Sequence, residues 1–275
     1  MVKVSSAPFD EYVVGTLKPG VNDSFAKVAG ASDIGAAIPA GQLIDSGNIY
    51  ASKSFFDSVG KRRILFGWVH EEPGFPATQN WQGVQSIPRH VVLDPRNESR
   101  LLFTPIDEVA SLREPSPVAV NRSLCAGCAV RVLSDSGNKL DVLLRVKRAH
   151  FADALNLTLV LLANEARTEG INVSLTLTPQ DAQPLNNAAL FVNGTNTSEQ
   201  WATHPCAQGR QPGTPFVYCA CFPNCGNRFT VYPDEYELTL RALLDVSILE
   251  VFAQGGRARP PTMPRLGLCG AHSPW

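Results

Sequence analysis

The chain has 275 residues, of which 44% are hydrophobic, and its formal net charge is −1. This length allows one large or two ordinary domains, and the apolar content excludes a disordered chain. The near-neutral charge predicts no nucleic-acid partner, and because no apolar run approaches ~20 residues the sequence predicts no membrane partner.

Short apolar runs between turns predict β-strands in the first part of the chain. The predicted strands are 12–16, 49–55, 63–69, 90–93 and 101–103, and 106–112 is the one short helical candidate. The stretch Glu114-Pro115-Ser116-Pro117 is the best candidate for a linker, because two prolines in four residues interrupt regular structure.

Longer runs with period-two alternation follow the linker. They predict strands at 139–146, 155–161, 171–177, 228–232, 237–245 and 248–252, whereas 178–226 is poorly patterned and is predicted to be rich in loops. Alternating strands separated by Gly, Pro and Asn favour a β-sandwich. The predicted fold class is therefore all-β.

The seven cysteines allow two interpretations. Cys125 and Cys128 are spaced as CxxC, and with two of Cys206, Cys219, Cys221 and Cys225 they could supply a four-sulfur zinc site. The simpler interpretation is one or two disulfides plus spare thiols, which fits an oxidising compartment. We adopt the second interpretation, and predict no metal and no cofactor.

Glycosylation sequons suggest a secretory-pathway protein. They begin at Asn22, Asn97, Asn121, Asn156, Asn172, Asn193 and Asn196, where composition predicts roughly two by chance. The N-terminal residues lack the apolar segment of a signal peptide, so we expect the chain to be an N-terminally truncated piece of its parent protein.

Three segments carry a resemblance to a known family: 45–57, 62–68 and 81–89. They resemble the last blade of the five-bladed β-propeller in glycoside hydrolase family 32, which contains acid invertases, fructan exohydrolases and fructosyltransferases. Residues 10–16 are similar to an upstream strand of that family, and residues 240–256 to a signature of its C-terminal sandwich. The motifs of plant-type members are the most similar. The location expected from the sequons is the secretory pathway, with an extracellular, cell-wall or vacuolar parent protein.

The resemblance implies a β-propeller of which the last roughly two blades lie at 1–113, a linker at 114–122 and a β-sandwich at 123–275. The sandwich is expected to be incomplete, because three prolines between Pro260 and Pro264 cannot pair in a central strand. The resemblance also implies retaining hydrolysis of terminal β-fructofuranosyl units by two carboxylates ~5–5.5 Å apart.

The catalytic motifs of that family do not occur in this sequence. The family places its carboxylates in Trp-Met-Asn-Asp-Pro-Asn-Gly, Arg-Asp-Pro and Glu-Cys, none of which is present. Asp23 and Asp94 lie in segments that match these motifs only in part, and both are interpreted as turn residues. We therefore predict no catalytic residue, and expect the chain to be inactive alone.

The resemblance leaves three candidates for substrate binding: Asp45, Asn48 and Trp68. Asp45 matches an Asp that borders the sugar site, although a simple turn residue is an equal alternative. Asn48 replaces a Lys in that segment and so removes a positive charge that would orient Asp45, which puts a preference for sucrose in doubt and leaves fructans open. Trp68 could form an aromatic pocket wall, although a core position is an equal alternative. Trp81 and Arg89 are interpreted as structural.

The predicted partner is a sucrose- or fructan-type carbohydrate, with a companion chain as a possible source of the remaining blades. Two alternatives stay open. One is a carbohydrate-binding or interaction module, and the other is a non-functional truncated gene product.

Overall fold

The computed structural model describes residues 1–6, 9–20, 24–31, 43–47, 49–69, 83–132, 137–148, 154–163, 170–178, 187–194, 224–259 and 261–262. These residues form β-strands and connecting segments, with one short 3₁₀ helix. No helix among them is long and apolar enough to cross a bilayer. The predicted all-β class is confirmed.

The first part of the chain forms small antiparallel sheets. Its strands are β1 (Val2–Ser6), β2 (Phe9–Val13), β3 (Gly15–Lys18), β4 (Ser24–Lys27), β5 (Ile49–Asp57), β6 (Arg62–Val69), β7 (Val84–Gln85), β8 (Arg89–Asp94) and β9 (Asn97–Pro105). β1 pairs with β2 and β3 with β4, whereas β5, β6, β8 and β9 pair in that order with β7 beside β6. We call this last group the meander sheet. The 3₁₀ helix Asp107–Leu112 follows it.

The second part forms two four-stranded antiparallel sheets. Its strands are β10 (Lys139–Lys147), β11 (Leu155–Leu161), β12 (Ile171–Leu177), β13 (Ala188–Asn193), β14 (Asn224–Phe229), β15 (Glu237–Asp245), β16 (Ile248–Ala253) and β17 (Pro261–Thr262). The central sheet has the order β10-β15-β16-β17, and the outer sheet has the order β11-β12-β13-β14.

Period-two alternation builds the core between these two sheets. In β12 the side chains of Ile171, Val173, Leu175 and Leu177 are buried, and the residues between them are only partly buried. They belong to one apolar cluster with inward-facing residues of β13, β15 and β16. Since successive side chains of a strand point to opposite faces, this pattern pairs the sheets face to face as a sandwich.

Strand β16 is buried along its whole length. Leu249, Val251 and Ala253 enter the sandwich core, whereas Ile248 and Phe252 join apolar clusters with residues of the meander sheet and the 3₁₀ helix. The central sheet therefore lies between two apolar layers, and its outward face holds the meander sheet in place.

Three predictions of secondary structure need correction. The predicted strand 12–16 is two strands, because at Val14 the chain changes from pairing with β1 to pairing with β4. The predicted strand 228–232 overlaps only the end of β14, which begins earlier, at Asn224, and ends at Phe229. Residues 178–226, which were predicted to be rich in loops, contain the unpredicted strand β13, which pairs between β12 and β14 and sends Leu190 and Val192 into the core.

Two predictions rested on prolines: the linker and the proline-rich end of the sandwich. Residues 114–132, which include the predicted linker, contain no strand and have exposed side chains throughout. Pro261 pairs opposite Glu250 in the two-residue strand β17, which lies at the edge of the central sheet, where a missing N–H is tolerated.

The Cys125–Cys128 pair forms a disulfide inside the exposed 114–132 segment. The side chains of the other five cysteines lie outside the described residues. Among the residues that are described, no group of three or more His, Cys, Asp or Glu side chains could hold a metal ion.

Candidate functional site

A solvent-open cleft of about 340 Å³ lies on the meander sheet between β5, β6 and β7. It is lined by Ala51, Lys53, Phe66, Gly67, Trp68, Gly83, Val84 and Gln85. Trp68 is 46% exposed, because the alternation of β6 buries Gly67 and Val69 and turns the indole outward. The cleft therefore presents one large aromatic surface beside a lysine and a glutamine.

Gly83 determines where the indole of Trp68 can lie. Its φ is +77°, and a Cβ atom at this position would lie 2.3 Å from Nε1 of Trp68. Positive φ favours glycine in any case, and here the missing side chain also lets the backbone approach the ring. Across the sheet Trp68 is the register partner of both Tyr50 and Gln85, so three strands fix this side of the cleft.

A β-bulge shapes the opposite side of the cleft. The β5–β6 register shifts between Tyr50 and Lys53, and Ala51 takes a φ of 50°. The buried carboxylate of Asp10 holds this bulge by accepting hydrogen bonds from the backbone N–H of Ala51 at 3.2 Å and of Ser52 at 2.6 Å. A bulge re-aims the side chains of a strand, here those that line the cleft.

Asp10 stays ionised inside this arrangement. Burial alone would raise its pKa, but hydrogen bonds from Ser52, Ser5 and Lys3 outweigh that effect and lower the pKa below its ordinary value. The ammonium of Lys3 lies 2.9 Å from the carboxylate. This role of Asp10 was not predicted, because its partner strand lies about forty residues away in the sequence.

Asp45 lies in a second, buried cluster and does not line the cleft. The residue is 2% exposed, and Oδ2 accepts a hydrogen bond from Nη1 of Arg89 at 2.5 Å, while Oδ1 accepts one from the N–H of Gly47. The other terminal nitrogen of Arg89 donates to Glu250 at 2.5 Å. We call Asp45, Arg89 and Glu250 the buried triad.

The buried triad joins the meander sheet to β16. Arg89 is fully buried, its guanidinium lies 5.0 Å from the ring centre of Phe252, and Glu250 also accepts the backbone N–H of Ile87 at 2.6 Å. Two carboxylates and one guanidinium leave an excess negative charge. Arg259, buried beside them, supplies the balancing positive charge.

Arg259 also fastens the segment that carries Asp45. Its Nε donates to the carbonyl of Ile44 at 2.5 Å and its Nη2 to the carbonyl of Leu43 at 2.6 Å. Burial raises the pKa of Asp45 to about 6, and attraction to Arg89 and Arg259 only partly opposes that rise. The triad is thus a structural ion cluster whose carboxyl groups are held by protein donors.

The structure therefore separates the substrate-binding residues that the sequence analysis grouped. Trp68 lines the cleft, Asp45 is buried at the interface with the central sheet, and Asn48 lies outside the described residues. Trp81 also lies outside them, and Arg89 belongs to the buried triad. The role of Asp45 in binding a substrate stays a prediction.

The signal for the triad was present in the sequence but was not used. Glu250 stands alone among apolar residues in β16, and a charge in a fully buried strand requires a partner.

Asp94 accepts the backbone N–H of Arg96 at 2.9 Å between β8 and β9, which is the turn role predicted for it. Asp23 lies outside the described residues.

The sequons fall into distinct surroundings. Asn22 and Asn196 lie outside the described residues, Asn121, Asn156 and Asn193 are exposed, and Asn172 is half-buried. Asn97 is half-buried as well, and its Oδ1 accepts both the backbone N–H and the hydroxyl of Ser99.

Comparison with known proteins gives a consistent result. Residues 3–105 match the family model described as the glycosyl hydrolases family 32 N-terminal domain, and residues 108–259 match the model of the family's C-terminal region. The chain is 30% identical over 263 residues to acid beta-fructofuranosidase AIV-18 of Capsicum annuum, and 32% identical over 236 residues to 6(G)-fructosyltransferase of Asparagus officinalis. These matches cover 90% and 79% of this chain, but 39% and 37% of the relatives' lengths.

Solved structures show the same fold. Fructan 1-exohydrolase IIa from Cichorium intybus superposes with a TM-score of 0.74 at 21% identity, covering 95% of this chain and 50% of that protein. Exo-inulinase from Aspergillus awamori superposes with a TM-score of 0.62 at 16% identity, covering 93% of this chain and 44% of that protein.

Proposed function

The chain belongs to glycosyl hydrolase family 32, and on that premise we propose that it is the sugar-binding, C-terminal part of a β-fructofuranosidase-type enzyme. Residues 1–113 would belong to the propeller domain as its last blades, 114–122 to a linker and 123–275 to the sandwich. The chain spans less than half the length of the relatives described above. The activity of such relatives is therefore proposed for the complete enzyme.

The cleft on the meander sheet is the observation that carries this proposal. An indole that is 46% exposed offers a flat apolar surface, and sugar rings have apolar C–H faces that pack on aromatic rings. The side chains of Lys53 and Gln85 add hydrogen-bonding groups at the rim, where sugar hydroxyls require them. The volume of about 340 Å³ suits one or two sugar units.

Bond cleavage requires carboxyl groups, and the described part of this cleft supplies none. Among the described lining residues there is no Asp, Glu or His, and a retaining glycosidase requires two carboxyl groups. The buried carboxylates of Asp10, Asp45 and Glu250 are held by protein donors. We propose that cleavage depends on carboxylates from further polypeptide, in the same product or in a companion chain.

The proposed substrates are sucrose or fructans with terminal β-fructofuranosyl units. Curated relatives carry beta-fructofuranosidase and fructosyltransferase names, and one solved structure is a fructan 1-exohydrolase in complex with 1-kestose. We propose that the parent protein passes through the secretory pathway, on the basis of its sequons.

Titration with 1-kestose tests the proposed binding site. We expect saturable binding to the full chain by calorimetry, and a loss of about twofold to twelvefold in affinity for Trp68→Ala, since aromatic contacts contribute about 0.5–1.5 kcal/mol. Phe56→Ala is the matched control, because Phe56 is also exposed on the meander sheet but does not line the cleft. Equal binding by both variants would refute the site.

Hydrolysis of sucrose and inulin by the purified chain tests the second half of the proposal. We expect no release of fructose above that of a heat-denatured sample. Turnover that persists through repeated purification would show that this chain contains its own catalytic pair, and would contradict the assignment of cleavage to other polypeptide.

A further inference from the structure

The outward face of the outer sheet carries an unusual combination of side chains. Because residues alternate along a strand, β13 buries Leu190 and Val192 and exposes Phe191 and Asn193 on the same face. Phe191 is 44% exposed. Two residues along a strand span about 7 Å, so the ring and the amide are near neighbours on this face.

Gly226 holds the Phe191 ring against the sheet. Gly226 on β14 is the register partner of Phe191, and a Cβ atom on it would lie 2.0 Å from Cδ1 of the ring. The aromatic ring therefore occupies the space left by the glycine, a pairing that covers an otherwise bare strand. A ring supported in this way, yet 44% exposed, is a preformed apolar platform.

We propose that Asn193 carries an N-linked glycan whose first sugar ring packs on the side chain of Phe191. Asn193-Gly194-Thr195 is an acceptor sequon. In the transfer, Nδ2 of Asn193 forms a bond to the anomeric carbon of a lipid-diphosphate-linked oligosaccharide. The bond between that carbon and the diphosphate oxygen breaks, the lipid diphosphate leaves with the bonding electrons, and the amide loses one proton to a base of the transferase.

Surroundings distinguish Asn193 from the other described sequons. Asn97 and Asn172 are half-buried, whereas Asn193 is exposed. Asn156 is exposed on the same sheet, but its outward neighbour two residues before is Ala154, and two residues after is Thr158. Of the described sequons, that of Asn193 alone has an exposed aromatic side chain two positions before the asparagine on the same strand face.

The consequence is a glycan that stabilises the fold. Apolar C–H groups of the sugar cover a phenyl ring that is otherwise in water, and the amide link adds no charge. This inference uses the secretory-pathway part of the proposed function, but it does not depend on sugar binding at the cleft.

The test is production of the full chain behind a cleavable leader in a eukaryotic secretory host, followed by glycopeptide mass mapping. We expect Asn193 to be occupied in the wild type and in Thr195→Ser, and unoccupied in Thr195→Ala. Secreted, folded protein with Asn193 unmodified while another sequon is occupied would overturn the proposal. The leader makes this result independent of the natural location of the protein.

Thermal melts then test the role of Phe191. Trimming by an endoglycosidase that leaves the first sugar should keep the Tm, whereas Thr195→Ala, which prevents attachment and leaves Asn193 unmodified, should lower the Tm by about 2–4 °C. That difference should vanish in Phe191→Ala and persist in Val160→Ala, since Val160 is equally exposed on the same sheet. The same difference in both variants would refute the contact.

Discussion

Replacing Arg89 by methionine removes the one cation that bridges the two carboxylates of the buried triad. The guanidinium donates to Asp45 and to Glu250, each at 2.5 Å, and it is fully buried. In the variant each carboxylate keeps one backbone donor, but both lose their ionic partner in a site without solvent. Breaking a buried ion pair from one side costs about 3–5 kcal/mol of unfolding free energy.

The matched control is Arg96→Met. Arg96 pairs with Asp234 through two hydrogen bonds and lies 4.6 Å from the ring centre of Tyr232, but both charged side chains are exposed. An exposed ion pair contributes about 0.2–1 kcal/mol, because water solvates the remaining charge. The two variants make the same substitution, at a buried arginine that bridges two carboxylates and at an exposed arginine that pairs with one.

The assay is equilibrium urea unfolding of the full chain at pH 7.5 and at pH 5, followed by circular dichroism and by tryptophan fluorescence. We expect Arg89→Met to lose at least about 3 kcal/mol at pH 7.5 and less at pH 5, where the Asp45 carboxyl, with its pKa raised to about 6, is largely protonated. A loss no larger than that of Arg96→Met would refute the structural role of the triad.

Two further predictions concern single positions. Burial raises the pKa of Asp45 from 3.8 to about 6. The folded chain therefore binds more protons than the unfolded chain between these two pH values. The contribution of this group to the unfolding free energy is full below about pH 3.8 and is lost as the pH rises through 6. Asp45→Asn should remove up to about 3 kcal/mol of that pH dependence in urea titrations, and parallel profiles would contradict this. Gly83→Ala should displace Trp68, seen as altered tryptophan fluorescence and weaker 1-kestose binding. Gly137→Ala, which also has positive φ but no atom within 4 Å of the added Cβ, should lose stability by about 1–2 kcal/mol without either change.

The strand prediction succeeded where one strand face is core and the other is not. The bounds of β11, β12 and β15 were predicted to the residue, because apolar and polar side chains alternate over all seven positions of β12, over the first five of β11 and over the first six of β15. β13 was missed since Ala188 and Ala189 give no alternation at its start. Val14 was placed inside a strand because local pattern does not reveal a change of pairing partner.

The candidate site was predicted less completely than the fold. Trp68 was identified through a resemblance and does line the cleft, but the glycine that fixes its indole was not identified. Asp45 was grouped with it, although its carboxylate is buried against Arg89. Proximity in sequence and in a family motif did not specify which way that carboxylate points.

The sequence by itself determined the all-β class and the alternating core of the sandwich, because these depend on residue types at fixed short spacings along the chain, and it indicated the family through the resemblance of several motifs. Only the tertiary structure decided that Glu250 meets Arg89 from 161 residues away, and that Asp10 holds the bulge beside the cleft. Such pairings depend on how separate sheets pack, since a buried charge specifies that it needs a partner but not which one.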